Sequence, residues 1–279
     1  MGSPRPRAEG LRDLLLRDGR RLEYRETGAP GGLPVLALHG LPGGCLGLPQ
    51  APPAAGVRLI SPGRPGYGGS DPLPGRLIAQ FVDDLAQLAD ALTVDRFAVL
   101  GYSMGGPFAL ACGCLLPERV GAVALVAPAG PPPRSLTPAG REATLSPMSR
   151  PPTATRRSRL PRPQSRTGSP VRLPRGPGRL SYWRAVAGNA FQQGMAGIVA
   201  DMLAFRRDWG FDLSGLRAPV LIYHGETDLV VPVGVARHYA RRIVGAATCF
   251  YPGEGHRALW PHLTEILADL SAAYQTNMV

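Results

Sequence analysis

The pentapeptide Gly-Tyr-Ser-Met-Gly at residues 101–105 has the residue types and spacing that suggest nucleophilic chemistry. It follows the apolar run 97–100, which predicts a buried strand, and opens the segment 104–116, which predicts a buried helix ending before Pro117. A sharp turn from strand to helix needs glycine on both sides, and it presents the Ser103 hydroxyl at the positive end of the helix. The pentapeptide alone is a weak signal, but this context favours a nucleophilic serine over an incidental serine in a glycine turn.

A serine hydroxyl is a poor nucleophile at neutral pH, so it needs a base, and an acid must hold that base in the right tautomer. Asp228 comes in the loop after the apolar run 220–223, and His256 follows the run 248–251. Both residues therefore lie just past the carboxyl ends of predicted strands, where an open α/β sheet places its ligands. Glu226 is a nearby competitor for the role of the acid.

Four other histidines are alternatives to His256 as the base. His39 and His224 each precede glycine at a strand end, which is typical of residues that pack in loops. His238 and His262 fall within helical segments, where we expect solvated side chains.

Acyl transfer also needs hydrogen-bond donors aimed at the oxygen that becomes negatively charged. The segment 39–44, His-Gly-Leu-Pro-Gly-Gly, follows the apolar run 35–38 and can present the backbone N–H of Leu41. Pro42 has no N–H to donate. The second predicted donor is the N–H of Met104, next to the serine.

The elements that must position these residues alternate between strand and helix. Apolar residues at successive positions predict strands covered on both faces, at 35–38, 57–60, 97–100, 122–126 and 220–223, and 248–251 is predicted as one more strand. Apolar residues at helical spacing predict helices at 81–92, 104–116 and 259–270. Asp18-Gly19 predicts a two-residue hairpin turn near the start. We therefore expect an α/β fold with a mostly parallel sheet flanked by helices, and the helix-compatible stretch 183–209 is interpreted as the remainder of an inserted lid.

The net charge of +11 first suggests a nucleic-acid binder, but the charge is confined to one tract. Residues 134–184 contain twelve arginines and one acid, while the rest of the chain is balanced. The part from 134 to 180 is rich in arginine, proline and serine, has no aromatic residue and shows no apolar periodicity, so we expect it to be disordered. Because aromatic residues do not interleave with the arginines, we expect no nucleic-acid partner.

Composition also bears on the compartment and on cofactors. No apolar run reaches the ~20 residues of a membrane span, and the N-terminal segment has no apolar stretch typical of a signal peptide. The four cysteines do not form a disulfide framework or a zinc-binding spacing, and dinucleotide and phosphate-loop patterns are missing. We therefore expect a cytoplasmic protein without metal or cofactor.

Five segments together resemble the α/β-hydrolase superfamily. They are HGLPGG at 39–44, SPGRPGYGGSDP at 61–72, GYSMGG at 101–106, HGETDLVVP at 224–232 and GEGH at 253–256. The resemblance covers about residues 20–130 and 184–275, and it is closest to small bacterial members with a lid, including esterases, prolyl iminopeptidases and cofactor-free haloperoxidases.

The resemblance implies roles for five residues. It makes Ser103 the nucleophile, Asp228 the acid and His256 the base, with the amides of Leu41 and Met104 as the oxyanion hole. A serine at this turn argues against the dehalogenase and epoxide-hydrolase branches, which use a carboxylate. The implied activity is hydrolysis of a small carboxylic ester, or a related acyl substrate, through an acyl-enzyme.

Two departures from the family pattern lead to further expectations. Many relatives carry Asp before the arginine that is Arg64 here, and this chain has Gly63, so we expect a loop-stabilising interaction to be missing. Residues 134–180 stand where relatives have a helical lid, and their abrupt ends suggest out-of-frame translation, a hypothesis that translation of the coding DNA in the other frames tests. We expect a hydrolase core at 1–130 and 206–279, with a lid at 131–205.

Two alternatives to an active hydrolase stay open. A disrupted lid leaves a catalytically impaired scaffold or a binding protein, because the lid normally builds much of the substrate pocket. A nucleic-acid or anionic-membrane binder rests on the arginine tract alone.

Overall fold

The structure is a computed structural model that describes residues 10–130 and 177–277, with the backbone alone for 177–179. The strands of the described residues are β1 Leu11–Leu15, β2 Arg21–Gly28, β3 Leu33–Leu38, β4 Val57–Pro62, β5 Phe97–Tyr102, β6 Val120–Val126, β7 Val220–Gly225 and β8 Ala247–Tyr251. The α-helices of the described residues are α1 Phe81–Ala91, α2 Gly105–Leu115, α3 Pro177–Ala190, α4 Ala196–Arg206, α5 Gly234–Arg242 and α6 Leu259–Thr276.

The eight strands form one open sheet in the order β1-β2-β4-β3-β5-β6-β7-β8. β2 pairs antiparallel with β1 on one side and with β4 on the other. Every other neighbouring pair, from β4 across to β8, is parallel. The predicted α/β fold with a mostly parallel sheet is confirmed. Since parallel strands end at the same edge, the loops after β3, β5, β7 and β8 meet at that edge.

The central strands are buried because helices cover both faces of the sheet. Phe97 and Val99 of β5 pack with α1 and α2 on one face, while Ala98 and Leu100 pack with α6 on the other. This explains why the strands appear in the sequence as continuous apolar runs rather than as alternating patterns. Each fully buried aliphatic or aromatic side chain contributes about 1.5–3 kcal/mol.

The hairpin between β1 and β2 forms, but its turn differs from the prediction. The Leu16 N–H donates to the Arg20 carbonyl at 2.8 Å, and the Gly19 N–H donates to the Leu16 carbonyl at 2.9 Å. The loop therefore has three residues, and Gly19 has a positive φ of 84° that suits a glycine bulge. Asp18 does not have the positive φ that a two-residue turn requires.

Helices α3 and α4 cover part of the stretch interpreted as the remainder of a lid. Both contact the loop that follows the carboxyl end of β4: the carbonyl of Asn189 in α3 accepts from the Gly68 N–H, and Asp201 of α4 accepts from Arg64. The Asn189 side chain also donates to Glu23 of β2. The disorder expected for 134–180 lies outside the described residues, except that 177–180 form the first turn of α3. Within the described residues, no helix combines the length and apolar character needed to cross a bilayer.

Candidate active site

The turn between β5 and α2 places Ser103 above the sheet. Ser103 has a φ of 53°, a left-handed backbone conformation that residues other than glycine rarely adopt. A Cβ at Gly101 would lie 2.6 Å from the Gly105 carbonyl oxygen, and a Cβ at Gly105 would overlap the carbonyl oxygen of Leu38. Both glycines are therefore required by close backbone approach, as the sequence predicts.

Ser103, His256 and Asp228 lie together at the carboxyl edge of the sheet. The Ser103 Oγ is 3.0 Å from His256 Nε2, and His256 Nδ1 is 2.7 Å from Asp228 Oδ2. Because the carboxylate only accepts, Nδ1 carries the proton and donates it to Asp228, which leaves Nε2 to accept from the serine hydroxyl. Ser103 and Asp228 are buried, and the His256 side chain is 16% exposed.

The loop after β7 orients the Asp228 carboxylate. The backbone N–H groups of Val230 and Val231 both donate to Oδ1, at 2.8 and 2.9 Å. This fixes Oδ1 in the loop and turns Oδ2 toward the imidazole. Glu226, the competitor that the sequence left open, is 40% exposed and lies 3.7 Å from Arg237 instead.

Tyr102 supports the loop that carries His256. Its hydroxyl donates to the backbone carbonyl of His256 at 3.1 Å, and the two rings are 5.3 Å apart. Trp260 packs edge-on against Tyr102, with ring centroids 5.2 Å apart. Burial raises the pKa of the Tyr102 hydroxyl, so it remains protonated and keeps its donor.

The amides of Leu41 and Met104 are both without a protein acceptor in the described part of the chain. Their segments are adjacent, because a Cβ at Gly40 would lie 3.1 Å from the Cβ of Ser103. Two N–H groups without acceptors on adjacent segments, close to a serine, are the kind of donor from which an oxyanion hole is built.

A buried network that the sequence did not predict supports the loop after β3. Arg64 is fully buried and donates to the carbonyls of His39 and Gly40. Its guanidinium also pairs with Asp201 of α4 at 2.8 Å. Gly63 supplies no side chain to Arg64, and the carboxylate that pairs with Arg64 comes from far along the chain.

A second buried cluster joins the same loop to α3. The Cys45 thiol donates to Glu23 Oε2 at 3.0 Å, and the Asn189 side chain donates to the same oxygen at 2.9 Å. Burial raises the pKa of the Cys45 thiol well above its usual range, followed in importance by the adjacent Glu23 carboxylate. The thiol is therefore protonated and acts as a hydrogen-bond donor. All four cysteines are free.

His224 is closer to the acid than the sequence suggests. Its Nε2 donates to the Val231 carbonyl at 2.8 Å and lies 3.2 Å from Asp228 Oδ2. Burial lowers the pKa of His224, so the ring is neutral near pH 7 and carries its proton on Nε2. The sequence predicts a residue packed in a loop, and the curl of the loop after β7 adds the contact with the carboxylate.

Among the described residues, neither His238 nor His262 makes a hydrogen bond to Ser103. His238 lies on α5, and His262 stacks on Tyr251 with ring centroids 3.7 Å apart rather than being fully solvated. Among residues 10–130 and 177–277, no three His, Cys, Asp or Glu side chains are grouped so that they could hold a metal ion.

Comparisons with known proteins identify hydrolases and related proteins of the same fold. YcgS, an uncharacterized hydrolase of Bacillus subtilis, is 28% identical over 260 residues, covering 86% of this chain and 89% of the relative. The non-heme chloroperoxidase of Streptomyces lividans is 27% identical over 279 residues, covering 91% of this chain and 96% of the relative. The crystal structure of the esterase RhEst1 from Rhodococcus sp. ECU1013 has the same fold, with a TM-score of 0.62, 20% identity, and coverage of 96% of this chain and 99% of that one.

The family comparison covers most of the chain. The family model described as alpha/beta hydrolase fold matches residues 34–263, a range that includes the turn at Ser103 and the loops of Asp228 and His256. This chain therefore belongs to the α/β hydrolase fold family.

Proposed function

We propose that the protein is a serine hydrolase that cleaves a small carboxylic ester, or a related acyl substrate, through an acyl-enzyme intermediate. The observation that carries the proposal is the continuous contact from Ser103 Oγ through the His256 ring to Asp228 Oδ2, at 3.0 and 2.7 Å. A serine, an imidazole and a carboxylate at these distances form the unit that activates a hydroxyl for attack on a carbonyl.

The proposed reaction has two steps. In the first, Ser103 Oγ attacks the substrate carbonyl carbon while His256 Nε2 takes the hydroxyl proton, and the amides of Leu41 and Met104 donate to the oxyanion. The intermediate collapses when the bond to the leaving alcohol breaks and the imidazolium returns its proton to that oxygen. In the second step, water attacks the acyl-enzyme, gives its proton to His256, and releases the carboxylic acid as Oγ is protonated again.

Asp228 acts through His256 in both steps. It holds the imidazole with Nδ1 protonated, and it stabilises the imidazolium that forms when the serine proton is transferred. No cofactor takes part in the proposed reaction.

The proposal extends to the organisation of the chain. Residues 1–130 and 206–279 form the hydrolase core, and 131–205 form the lid, which is supported by the contacts of α3 and α4 with loops at the carboxyl edge. Four free thiols are consistent with a reducing compartment, so we propose a cytoplasmic location. The partner we propose is a small acyl substrate, without nucleic acid or membrane.

The proposal is tested with p-nitrophenyl esters of short acids and with a fluorophosphonate probe that labels active serines. We expect the wild-type protein to release p-nitrophenol and to be labelled, and Ser103→Ala to lose both activities. Ser271→Ala is the matched control, because the Ser271 hydroxyl donates only to the Leu267 carbonyl within α6. Turnover or labelling that persists in Ser103→Ala would contradict the proposal.

A folded wild-type protein that is neither labelled nor active on a broad ester panel would favour a catalytically impaired scaffold instead. Limited proteolysis that cuts only within 134–180 would add support for that alternative.

A further inference from the structure

The peptide group between Gly40 and Leu41 connects the candidate oxyanion hole with the buried network beneath it. Its N–H is the free donor of Leu41, and its carbonyl oxygen is the acceptor of Gly40. Both ends belong to one planar, resonance-stabilised amide. Whatever binds the oxygen therefore alters how strongly the N–H donates.

Two donors bind the Gly40 carbonyl oxygen. Arg64 Nη2 donates at 2.9 Å and His39 Nδ1 at 2.8 Å. The backbone N–H of Arg64 donates to His39 Nε2 at 3.1 Å, so Nε2 is an acceptor and the ring proton sits on Nδ1. Burial, with the Arg64 charge as the next cause, lowers the pKa of His39 well below its usual range, so the ring stays neutral.

The Arg64 charge is buried away from the protein surface. The side chains of Arg64 and Asp201 are both fully buried, and their ion pair is 2.8 Å long. Hydrogen bonds from a charged donor are roughly twice as strong as neutral ones, and hydrogen bonds in series through one amide strengthen each other. The guanidinium therefore draws electron density toward the Gly40 oxygen and makes the Leu41 N–H a better donor.

Asp201 places that guanidinium from a separate helix. Its carboxylate, on α4, accepts from Arg64, from Arg76 and from the Tyr67 hydroxyl. Arg76 is as buried as Arg64 and shares the carboxylate, but within the described residues its hydrogen bond goes to Asp201 alone. The two arginines thus differ in one respect that matters here, which is contact with the loop after β3.

We propose that Arg64 is a positioning residue for the oxyanion hole, which strengthens the Leu41 N–H through the Gly40 carbonyl, and that Asp201 makes this effect depend on α4. The inference rests on the proposed function, in which Leu41 N–H binds the oxyanion. Removing an oxyanion donor outright lowers kcat by about 10²–10³-fold. Weakening one donor should lower kcat less, by about 10-fold, with KM nearly unchanged.

The kinetic test compares Arg64→Met with Arg76→Met. Both substitutions remove one buried guanidinium from the same carboxylate, but only the first removes a donor from Gly40. The substrates are an ester and the thionoester that has sulfur in place of the carbonyl oxygen. Because sulfur is the weaker hydrogen-bond acceptor, the kcat/KM of the ester divided by that of the thionoester measures the strength of the oxyanion donors. We expect the ratio to fall about 10-fold in Arg64→Met and to stay at the wild-type value in Arg76→Met. Equal ratios in wild type and folded Arg64→Met would overturn the proposal.

A spectroscopic test does not depend on activity. Labelling glycine with ¹³C at the carbonyl and leucine with ¹⁵N selects the few Gly-Leu peptides of the chain, and Leu41→Val identifies the Gly40–Leu41 signal. We expect the Leu41 amide proton to move upfield in Arg64→Met and to remain in place in Arg76→Met. If Arg64→Met does not fold, Arg64→Lys replaces it, because lysine keeps the positive charge but lacks the planar guanidinium with its several N–H donors. We then expect the Leu41 amide proton to move upfield from its wild-type position, but by less than the loss of the charge would cause.

The two tests separate failure of this inference from failure of the proposed function. An inactive wild-type protein whose Leu41 amide still responds to Arg64 would contradict the hydrolase proposal and support the polarisation. An active protein whose folded Arg64→Met variant keeps the wild-type ester ratio, or keeps the Leu41 amide proton in place, would overturn this inference alone.

Discussion

Asp228→Asn should disable the imidazole by reversing its tautomer. The structure determines how asparagine would sit, because Asp228 Oδ1 accepts the N–H groups of Val230 and Val231 at 2.8 and 2.9 Å. Only the amide oxygen can accept these bonds, so the NH₂ group would take the place of Oδ2, 2.7 Å from His256 Nδ1. A donor at that position requires Nδ1 to be unprotonated, which moves the ring proton to Nε2.

With Nε2 protonated, His256 can no longer accept the proton of Ser103. The same NH₂ group would also face the Nε2–H of His224, which lies 3.2 Å from Asp228 Oδ2 in the wild-type protein. Two donors would then point at each other there as well. We expect kcat to fall by about 10⁴-fold near pH 7, the size of loss that a reversed tautomer causes in serine enzymes of unrelated fold. This corresponds to about 5.4 kcal/mol of activation free energy, at 1.36 kcal/mol for each tenfold change.

The assay is single-turnover acylation by a p-nitrophenyl ester with enzyme in excess, so that deacylation does not affect the rate. Asp208→Asn is the matched control, because Asp208 also accepts from an N–H two residues ahead, at 2.9 Å, but makes no hydrogen bond to a histidine among the described residues. We expect this control to acylate at the wild-type rate. An Asp228→Asn protein that is folded by circular dichroism and acylates within tenfold of wild type would refute the tautomer argument.

Two further predictions concern stability. Gly105→Ala places a methyl group against the Leu38 carbonyl oxygen, so it should lower the free energy of unfolding by about 1–3 kcal/mol or more. In Gly188→Ala, within α3, the added methyl group meets no atom within 4 Å, so the free energy of unfolding should rise by about 0.5–1 kcal/mol. Urea unfolding measures both, and a Gly105→Ala midpoint at or above that of Gly188→Ala would contradict the close approach. Burial lowers the pKa of His39 and His224 in the folded protein, so below about pH 6.5 the unfolded chain binds more protons than the folded one. The free energy of unfolding should therefore fall as the pH falls, by up to about 1.4 kcal/mol per pH unit for each histidine. Urea midpoints at pH 7 and 5.5 check this above the range of ordinary carboxylates, and midpoints that do not change with pH would contradict it.

The sequence predicts the strands and the turn at Ser103 well because these depend on local signals. An apolar run covered on both faces and a turn flanked by glycine need no information about distant residues. The same holds for the positions of Asp228 and His256, which follow strands directly. The sequence favours Asp228 over Glu226 only by its position in the loop, since the distinction depends on which carboxylate the curled loop turns toward His256.

The contacts that span long separations could not be predicted in this way. Gly63 indicated a lost interaction, because a local pattern shows only the missing neighbour of Arg64. The carboxylate that pairs with Arg64, Asp201, lies on α4, and nothing in the spacing of its own segment links it to the loop after β3. The hairpin turn illustrates a smaller limit, since Asp-Gly is compatible with both two- and three-residue loops, and Gly19 alone takes the positive φ.

The ion pairs of Asp201 also constrain any attempt to graft a foreign capping segment onto this core. Arg64 and Arg76 belong to the recipient, and the acid that neutralises them belongs to the segment that would be exchanged. A foreign segment without an acid at the position of Asp201 would leave two buried guanidinium groups without a counter-charge. Breaking a buried ion pair in this way costs about 3–5 kcal/mol. A chimera designed for a new substrate must therefore import that carboxylate, or replace both arginines, before its pocket is worth comparing with the original.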